Sequence, residues 1–447
     1  MLKDPWVQIL ALIAFVSGAF FAAPYLSKIF PTASPEMQAP APFPVFQPEP
    51  KTLPKPIPIV ASSPESSQAP RVVSHSPVWI VDSQNKPDAD GRAISDVIDK
   101  VKNGDTILIR PGKYKGHVVI SKSITLSGSD RDPAAVTITS SDSPTFSIQG
   151  GEVSIKNVNI VNSVIQSGIA ILAAHAKLFL SKVSITSQGE GLHLIDGVFS
   201  AQHSSFKGRI ALLAGPSSRL NVSDCKILGV DSGALLFGDD IIAQFSKSQF
   251  LSGWRALNIN GDSQIFVDGS QFILSKSEGA LFAFAQAHVQ IQNSTINLSG
   301  TSQTGLYADK SEIKGLGLSI QGAVGPAVVA LENSTISLKN TRILHNKNCA
   351  LRSSQASITL EGSVFSYNRC GINFQGPTVL EANKSHFFKN TNGTLNIVPG
   401  MESFIRLRGS GNSGIDLQVL KHNESLERDP VQFKNDIFSS HDSFKNQ

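Results

Sequence analysis

The stretch GDTILIRPGKYKGHVVISKSITLSG, from Gly104 to Gly128, alternates apolar and polar residues on both sides of Pro111-Gly112. An alternation of period two predicts strands with one buried face, because successive side chains of a strand point to opposite sides. A Pro-Gly dipeptide indicates a turn. The segment therefore predicts short strands that meet at a corner, with no long helix.

The same pattern recurs towards the C-terminus at a nearly constant spacing. Small residues before an alternating apolar pair lie 20 to 26 residues apart, in SGIAIL (Gly168), EGLHLI (Gly191), RIALLA (Ala211), SGALLF (Gly233), RALNIN (Ala256), EGALFA (Gly279), TGLYAD (Gly305), PAVVAL (Ala327), CALRSS (Ala350), CGINFQ (Gly371), GTLNIV (Thr394) and GIDLQV (Ile415). Each period of about 22 residues holds two further short alternating runs, which makes three strands per turn. Such strands are stable only when they stack at ~4.8 Å on equivalent neighbours.

These features predict an all-β protein, a right-handed parallel β-helix of about 13 rungs over residues 78–420. In the small-residue motif the apolar pair, such as Leu257 and Ile259, points inward, and the residue between them faces solvent. Phenylalanines in SQF, SQFIL, SVFSY and SHFFKN are expected to stack in the interior. A β-sandwich or propeller is the rival fold, but it favours hairpin dipeptides and longer periods.

The N-terminal segment differs from the repeat region. Residues 1–30 contain about 20 apolar or small residues, enough to cross a ~30 Å hydrocarbon layer as a signal-anchor transmembrane helix. A cleaved signal peptide ending near Ser17-Gly18-Ala19 is the alternative. Both predict an extracytoplasmic protein, at the periplasmic face of the inner membrane if the cell is Gram-negative, or secreted after cleavage.

Two further segments flank the repeats. Residues 31–77 hold 13 of the 24 prolines, which indicates an extended linker. Ile94, Val97, Ile98 and Val101 have helical spacing and predict a short amphipathic helix over the end of the β-helix. The polar residues 421–447 are expected to form a C-terminal cap or tail, because an open β-helix end would otherwise pair with other chains.

The net charge and the cysteine spacing limit the classes of partner and cofactor that are expected. The net charge is +4 with the charges interspersed, so no nucleic-acid partner is expected. The three cysteines have no metal or redox spacing, and no cofactor or metal is expected. Cys349 and Cys370 occupy equivalent positions one rung apart, where a disulfide and two free thiols are both compatible with the spacing.

The opening segment also resembles a known superfamily. Gly104-Asp105-Thr106-Ile107, Pro111-Gly112-x-Tyr114 and the following VVISKSITLSG, with the periodicity to about Leu420, are similar to the pectin-lyase-like right-handed β-helix proteins. That group includes pectate lyases, polygalacturonases, pectin methylesterases and carbohydrate-binding repeat domains. The resemblance implies the fold and a polysaccharide partner. The catalytic motifs of the enzymes are missing, and LLFGDD supplies only Asp239-Asp240 of the polygalacturonase pattern.

Candidate sites follow from the outward columns of the Gly-led strand. Glycoside chemistry needs two carboxylates ~5–9.5 Å apart, but no two acids are vertical neighbours here. Asp309 with Tyr307 beside it and Arg352 about two rungs away is the best catalytic candidate, because Arg pairs with the carboxylate of an acidic sugar. An ordinary solvated surface is the alternative. A polar strip able to bind hydroxyl groups consists of Asn258, Asn260, Asn373, Gln375 and Asn396.

Three weaker features complete the list of candidates. Asp239-Asp240 is interpreted as a bend rather than an acid pair, since neighbouring residues point to different faces. His193 is interpreted as a surface histidine. Leu213, Leu235 and Leu281 predict an exposed apolar patch that either docks a protein or is covered by a loop.

The leading function is a membrane-anchored, extracytoplasmic protein that binds a polysaccharide of the cell envelope, with weak catalysis or none. The alternatives are a lyase, hydrolase or epimerase that acts on acidic polysaccharide through Asp309 and Arg352, and a scaffold that docks an envelope protein through the leucine patch.

Overall fold

The computed structural model describes residues 77–165, 167–415 and 417–419. The predicted anchor, the C-terminal tail and, apart from Pro77, the proline-rich linker lie outside these residues. Within them no helix has the length and apolarity to cross a membrane. The described chain is built from short strands whose pairings are parallel, and it coils so that each turn adds strands to three stacks, called here the first, second and third ladders.

The first ladder is a sheet of 15 strands. Its strands are Val78–Val81, Thr106–Ile109, Ile124–Gly128, Glu152–Lys156, Lys177–Ser181, Val198–Gln202, Arg219–Ser223, Ile242–Ser246, Gln264–Asp268, His288–Gln292, Glu312–Leu316, Thr335–Lys339, Ala356–Glu361, Thr378–Asn383 and Ile405–Arg408. Residues 104–128 thus supply two strands of this ladder, with the Pro111-Gly112 corner between them.

The second ladder follows the first in each turn. Its strands are Gly112–Lys115, Val136–Ser140, Asn159–Asn162, Ser184–Ser187, Ser205–Ala214, Lys226–Phe237, Gln249–Phe250, Gln271–Leu274, Thr295–Leu298, Ser319–Gln321, Arg342–Leu344, Val364–Ser366 and His386–Phe388. The long strands Ser205–Ala214 and Lys226–Phe237 continue into the third ladder, so the second and third ladders form one sheet.

The third ladder carries the predicted sites. Besides the two long strands it contains Val118–Ile120, Phe146–Gln149, Ile169–Ala174, Glu190–Ile195, Arg255–Asn260, Gly279–Phe284, Thr304–Asp309, Val328–Leu331, Cys349–Ser353, Cys370–Phe374, Leu395–Ile397 and Leu417–Val419. The number of turns agrees with the predicted value of about 13.

The predicted amphipathic helix is present over four residues only, Ser95–Ile98. Val97 and the flanking Ile94 and Val101 are buried in the main core, and Ile98 packs against it. Two short 3-10 helices, Pro133–Ala135 and Glu402–Phe404, are the other helical elements of the described residues. The role of the helix Ser95–Ile98 as a cap of the β-helix stays a prediction.

The interior confirms the predicted direction of the side chains. Leu257 and Ile259 are fully buried in one continuous hydrophobic core. The phenylalanines of the second ladder stack inside it: the rings of Phe250 and Phe272 are 4.6 Å apart, and those of Phe365 and Phe387 are 4.8 Å apart. Aromatic stacking therefore follows the rung spacing of the helix.

The corner between the first and second ladders repeats one backbone conformation. A residue with positive φ directly follows the first-ladder strand in successive turns, at Asn157, Lys182, His203, Asp224, Lys247, Gly269, Asn293, Gly317, Asn340, Gly362 and Lys384. A buried serine often follows, as where the Oγ of Ser270 accepts a hydrogen bond from the backbone N–H of Ser248, 3.2 Å away. These serines satisfy backbone groups at corners that strand pairing leaves unpaired.

Candidate functional site

Two outward columns run along the third ladder and contain the predicted site residues. The central column, defined by the strand register, is Leu172, His193, Leu213, Leu235, Asn258, Phe282, Tyr307, Val329, Arg352, Asn373 and Asn396. The lateral column lies two residues further along each strand and includes Ile195, Phe237, Asn260, Phe284, Asp309 and Leu331.

The register brings the predicted catalytic trio together. Tyr307 and Asp309 lie two residues apart on one strand, so both side chains leave the same face. Tyr307 pairs with Val329, and Val329 pairs with Arg352, which puts Arg352 two rungs from the tyrosine as predicted. In the other direction Phe282 separates Tyr307 from Asn258.

A second arginine and a second carboxylate flank this trio. The guanidinium of Arg255 makes a two-point ion pair with Glu278: Nε contacts Oε2, and Nη2 donates to Oε1 at 3.1 Å. The Cζ of Arg255 lies 4.5 Å from the centre of the Phe282 ring, which allows a cation–π interaction. The ring of Phe282 in turn stacks on that of Tyr307 at 5.2 Å. Arg255 is therefore held between a carboxylate and an aromatic face.

All four charged groups near Tyr307 affect the pKa of its hydroxyl. Burial raises the pKa of the Tyr307 hydroxyl, because it disfavours the phenolate, and the negative charge of Asp309 raises this pKa further. Glu278 acts in the same direction, whereas Arg352 and Arg255 lower the pKa. Two carboxylates and two guanidiniums thus lie near one buried phenol.

The burial of this cluster differs from the prediction. Tyr307, Asp309 and Arg352 retain only 3%, 7% and 3% of their surface, although they face away from the β-helix interior. Phe282, Tyr307 and Val329 form a small hydrophobic cluster separate from the main core, with Phe284 and Leu331 packed against it. The prediction that residues between the inward pairs face solvent is therefore wrong in these rungs, because alternation fixes direction and not exposure.

The predicted polar strip is divided by that cluster. On one side Asn260 is exposed and Asn258 is half-buried. On the other side Asn373 and Asn396 are buried, and Gln375 is half-buried. We call the region of Leu213, Leu235, Phe237, Asn258 and Asn260 the open half of the outer face. The region of Phe282, Tyr307, Asp309, Val329, Arg352, Asn373 and Asn396 is the buried half.

The predicted leucine patch is correct at two of its three residues. Leu213 and Leu235 are paired neighbours in the central column and are half-exposed. Leu281 points inward and is fully buried, and Phe282 occupies the column position instead. The reason is that EGALFA offers two successive small residues, and the register aligns Ala280 with the small positions of neighbouring rungs rather than Gly279.

Asp239, Asp240 and His193 each have a structural explanation in their local contacts or backbone conformation. Asp239 and Asp240 lie in an exposed bend, where Asp240 has a φ of 59° and Asp239 accepts a hydrogen bond from the N–H of Asp262 at 2.9 Å. The Nδ1 of His193 lies 2.8 Å from the Oε2 of Glu190. Within the described ranges no group of three His, Cys, Asp or Glu residues could hold a metal ion.

The two stacked cysteines form a disulfide. Cys349 and Cys370 are paired neighbours in the third ladder with Cα atoms 4.3 Å apart. The bond joins the strands that carry Arg352 and Asn373. Of the two possibilities that the sequence left open, the structure therefore contains the disulfide.

Comparison with known proteins agrees with this architecture. A family model described as a right-handed beta helix region matches residues 255–407. That description agrees with the parallel β-helix of the described residues. No curated protein matches the sequence.

Solved structures with similarity to this chain come from several sources. Tailspike protein 3 of bacteriophage CBA120 is 12% identical with a TM-score of 0.47, over 71% of this chain and 57% of that protein. The pectin methylesterase of Aspergillus niger is 13% identical with a TM-score of 0.28, over 83% and 97%. The catalytic domain of a GH87 alpha-1,3-glucanase, solved with tetrasaccharides, is 13% identical with a TM-score of 0.36, over 77% and 71%. These values assign no activity to this chain.

Sequence reasoning missed several residues of this right-handed β-helix. Glu278 precedes its strand and Arg255 begins one, so neither belongs to the outward columns that were compared. A second omission is the corner between the second and third ladders, where LHNKN, SYNRC and FKNTN place an asparagine at Asn346, Asn368 and Asn390. The constant interval of 22 residues was the signal that could have revealed it.

Proposed function

We propose that this protein binds a polysaccharide without acting on it, through the open half of the outer face. The observation that carries the proposal is the exposed ring of Phe237 beside the exposed Asn260 and the half-buried Asn258. Phe237 is 49% exposed and pairs with Asn260 in the lateral column, while Leu235 pairs with Asn258 in the central column. An apolar ring next to amide groups suits a sugar, which has an apolar face and hydroxyl groups at its edge.

The side chain of Asn258 supports this site. Its Oδ1 is buried and has no hydrogen-bond partner within the described part of the chain. A buried acceptor without a partner costs free energy, about 1–3 kcal/mol in typical cases. A sugar hydroxyl group that donates to this oxygen would recover that free energy, and it requires a rotation of the half-buried Asn258 side chain towards the surface.

Catalysis through Asp309 and Arg352 is the less favoured function. Both side chains are buried, and a polymer that reacts at a carboxylate must come within hydrogen-bond distance of it. The same argument applies to Glu278, which is 5% exposed. The buried half therefore supports a structural role better than an active site.

An extracytoplasmic location is part of the proposal. The disulfide between Cys349 and Cys370 supports it, because disulfides persist mainly in oxidising compartments. Attachment to a membrane through residues 1–30 is proposed from the sequence alone, and so is docking of an envelope protein to Leu213 and Leu235.

The test uses affinity gel electrophoresis of the purified protein in gels that contain a panel of neutral and acidic polysaccharides. We expect at least one polymer to retard the protein, and Phe237→Ala combined with Asn260→Ala to weaken the retardation about tenfold or more, since lost ring stacking and hydrogen bonds cost about 1–3 kcal/mol. Reducing-end and absorbance assays on the same polymers are expected to detect no turnover.

The matched control is Ile273→Ala combined with Asn297→Ala. These residues form a similar apolar and amide pair on the outer face of the second ladder, where Ile273 is paired with Asn297 and 46% exposed. Equal loss of binding in both double variants, retardation by no polymer, or turnover that Asp309→Asn abolishes would each contradict the proposal.

A further inference from the structure

The corner between the second and third ladders contains an asparagine ladder, in which Asn346 and Asn368 are buried and Asn390 is half-buried. The Oδ1 of Asn368 accepts hydrogen bonds from the backbone N–H and the Nδ2 of Asn346, at 3.1 and 2.8 Å. The Oδ1 of Asn390 accepts the equivalent bonds from Asn368, at 3.1 and 3.2 Å. Each amide thereby fixes the corner of the preceding rung, and three successive corners have the same geometry.

The residue before each asparagine is projected outward by this ladder. His345, Tyr367 and Lys389 have φ values of 55°, 56° and 56°, and all three are exposed. The ring of His345 stacks on that of Tyr367 at 4.8 Å, and the Nζ of Lys389 donates to the Tyr367 Oη at 2.9 Å. Phe388, 45% exposed, packs edge-on to Tyr367. The result is a row of surface rings, called here the aromatic file, in which each ring contacts its neighbour.

The surroundings of this file are positively charged. Lys347 and Arg369 follow the first two asparagines of the ladder and are exposed. The three corner segments, residues 342–349, 364–371 and 386–393, contain Arg342, Lys347, Arg369 and Lys389 but no Asp or Glu. Exposed cations without neighbouring carboxylates attract anionic groups, and the attraction weakens with salt.

We propose that this corner is a second binding site, specific for an acidic glycan that lies along the helix axis. Sugar rings stack on Phe388 and pack against the exposed edge of Tyr367, whose face is covered by His345. The carboxylate, sulfate or phosphate groups of the glycan pair with Lys347, Arg369 and Lys389. The site begins four rungs, about 19 Å, from the strand of Asn260 and extends two rungs further away. It therefore stands independently of the open half of the outer face.

A single-stranded nucleic acid is the other polymer with flat rings and anionic groups. The glycan is favoured because the charged surface is limited to one corner and the chain has a net charge of only +4 with no basic run. Nucleic-acid sites combine stacking rings with a groove of positive charge that follows the backbone.

The experiment measures binding of the full chain to a uronate polymer, to a sulfated glycan, to neutral dextran and to a single-stranded oligonucleotide, by fluorescence anisotropy at 20 and 300 mM salt. We expect the acidic glycans to bind, with affinity that falls as salt rises. Tyr367→Ala and the pair Lys347→Glu with Arg369→Glu are each expected to lower this affinity at least tenfold, and Tyr367→Phe to retain most of it. Far-UV circular dichroism and thermal melting check that every variant is folded.

The charge-matched control is Lys247→Glu with Lys384→Glu, two exposed lysines at the corner between the first and second ladders. This pair is expected to leave the affinity within about twofold. An equal loss in both pairs would show general electrostatic attraction and overturn the site. Tighter binding of the oligonucleotide, or equal binding of dextran, would overturn the ligand class. Loss of binding in Phe237→Ala with Asn260→Ala but not in the corner variants would leave only the first site.

Discussion

The open and buried halves of the outer face share one ladder and one register but differ in exposure. Leu235 and Tyr307 occupy the same central column, and Phe237 and Asp309 occupy the same lateral column. Yet Phe237 is 49% exposed and Asp309 only 7%. The charged residue is buried and the apolar one is exposed, which is the reverse of the usual preference.

The two halves of the outer face contribute differently, one to stability and the other to ligand binding. Beside the buried half, the charges of Arg255 and Glu278 compensate each other in a two-point ion pair. In the open half, an aromatic ring and amide groups stay available to a ligand. A buried charge costs free energy unless it is paired, so the buried half is expected to determine stability.

The largest expected difference is in side-chain truncation. Tyr307→Ala removes a buried ring that stacks on Phe282 and leaves a cavity, so we expect the free energy of unfolding in urea to fall by about 3–5 kcal/mol. Leu235→Ala, in the same column of the open half, is expected to cost about 1 kcal/mol because that side chain is half-exposed. Equal losses would show that the two halves do not differ in packing.

The next effect concerns ion pairs. Glu278→Gln removes the partner of Arg255, whose side chain is 13% exposed, and we expect a loss of about 2–4 kcal/mol because a largely buried cation is left without its counter-charge. Asp231→Asn is the matched variant, since Arg209 and Asp231 are paired but 54% and 46% exposed. It is expected to cost less than about 1 kcal/mol. Urea unfolding at pH 7 measures both, and a similar cost for the two variants would remove the distinction.

Much of this architecture could be predicted from the sequence, for a physical reason. Stacked rungs must repeat their inward residues, so the interval of about 22 residues revealed the ladders, and Leu257, Ile259, Phe250 and Phe272 are buried as expected. The direction of the Leu281 side chain was predicted wrongly because Gly279 and Ala280 can both occupy the small-residue position of the repeat. One residue of slip in a strand exchanges its two faces.

The candidate site could be predicted only in part. The pattern placed Tyr307, Asp309 and Arg352 on one face, because strand alternation and rung period are enough for that. It could not reveal their burial, since alternation says which way a side chain points and not what lies beyond it. The asparagine ladder was also missed, because only apolar positions were aligned and corner residues were not compared.

The smallest expected effect is the alkaline response of Tyr307. Its pKa in the folded protein is raised by burial and by Asp309, so the folded state favours the protonated phenol. This contribution to stability is complete below the pKa of the unfolded chain, about 10, and is lost as pH rises through the folded pKa. Tyr307→Phe should therefore make the free energy of unfolding fall less steeply between pH 9.5 and 11 than it does in the natural protein.

Tyr367→Phe, which removes an exposed phenol hydroxyl at the corner, is the control for the substitution itself. Ultraviolet difference spectra give a second readout, in which the absorbance step lost in Tyr307→Phe lies above pH 10, the usual pKa of tyrosine. A step at the usual pKa would mean that the phenol of Tyr307 is in contact with solvent, and the buried half would then have to be treated as a second open surface.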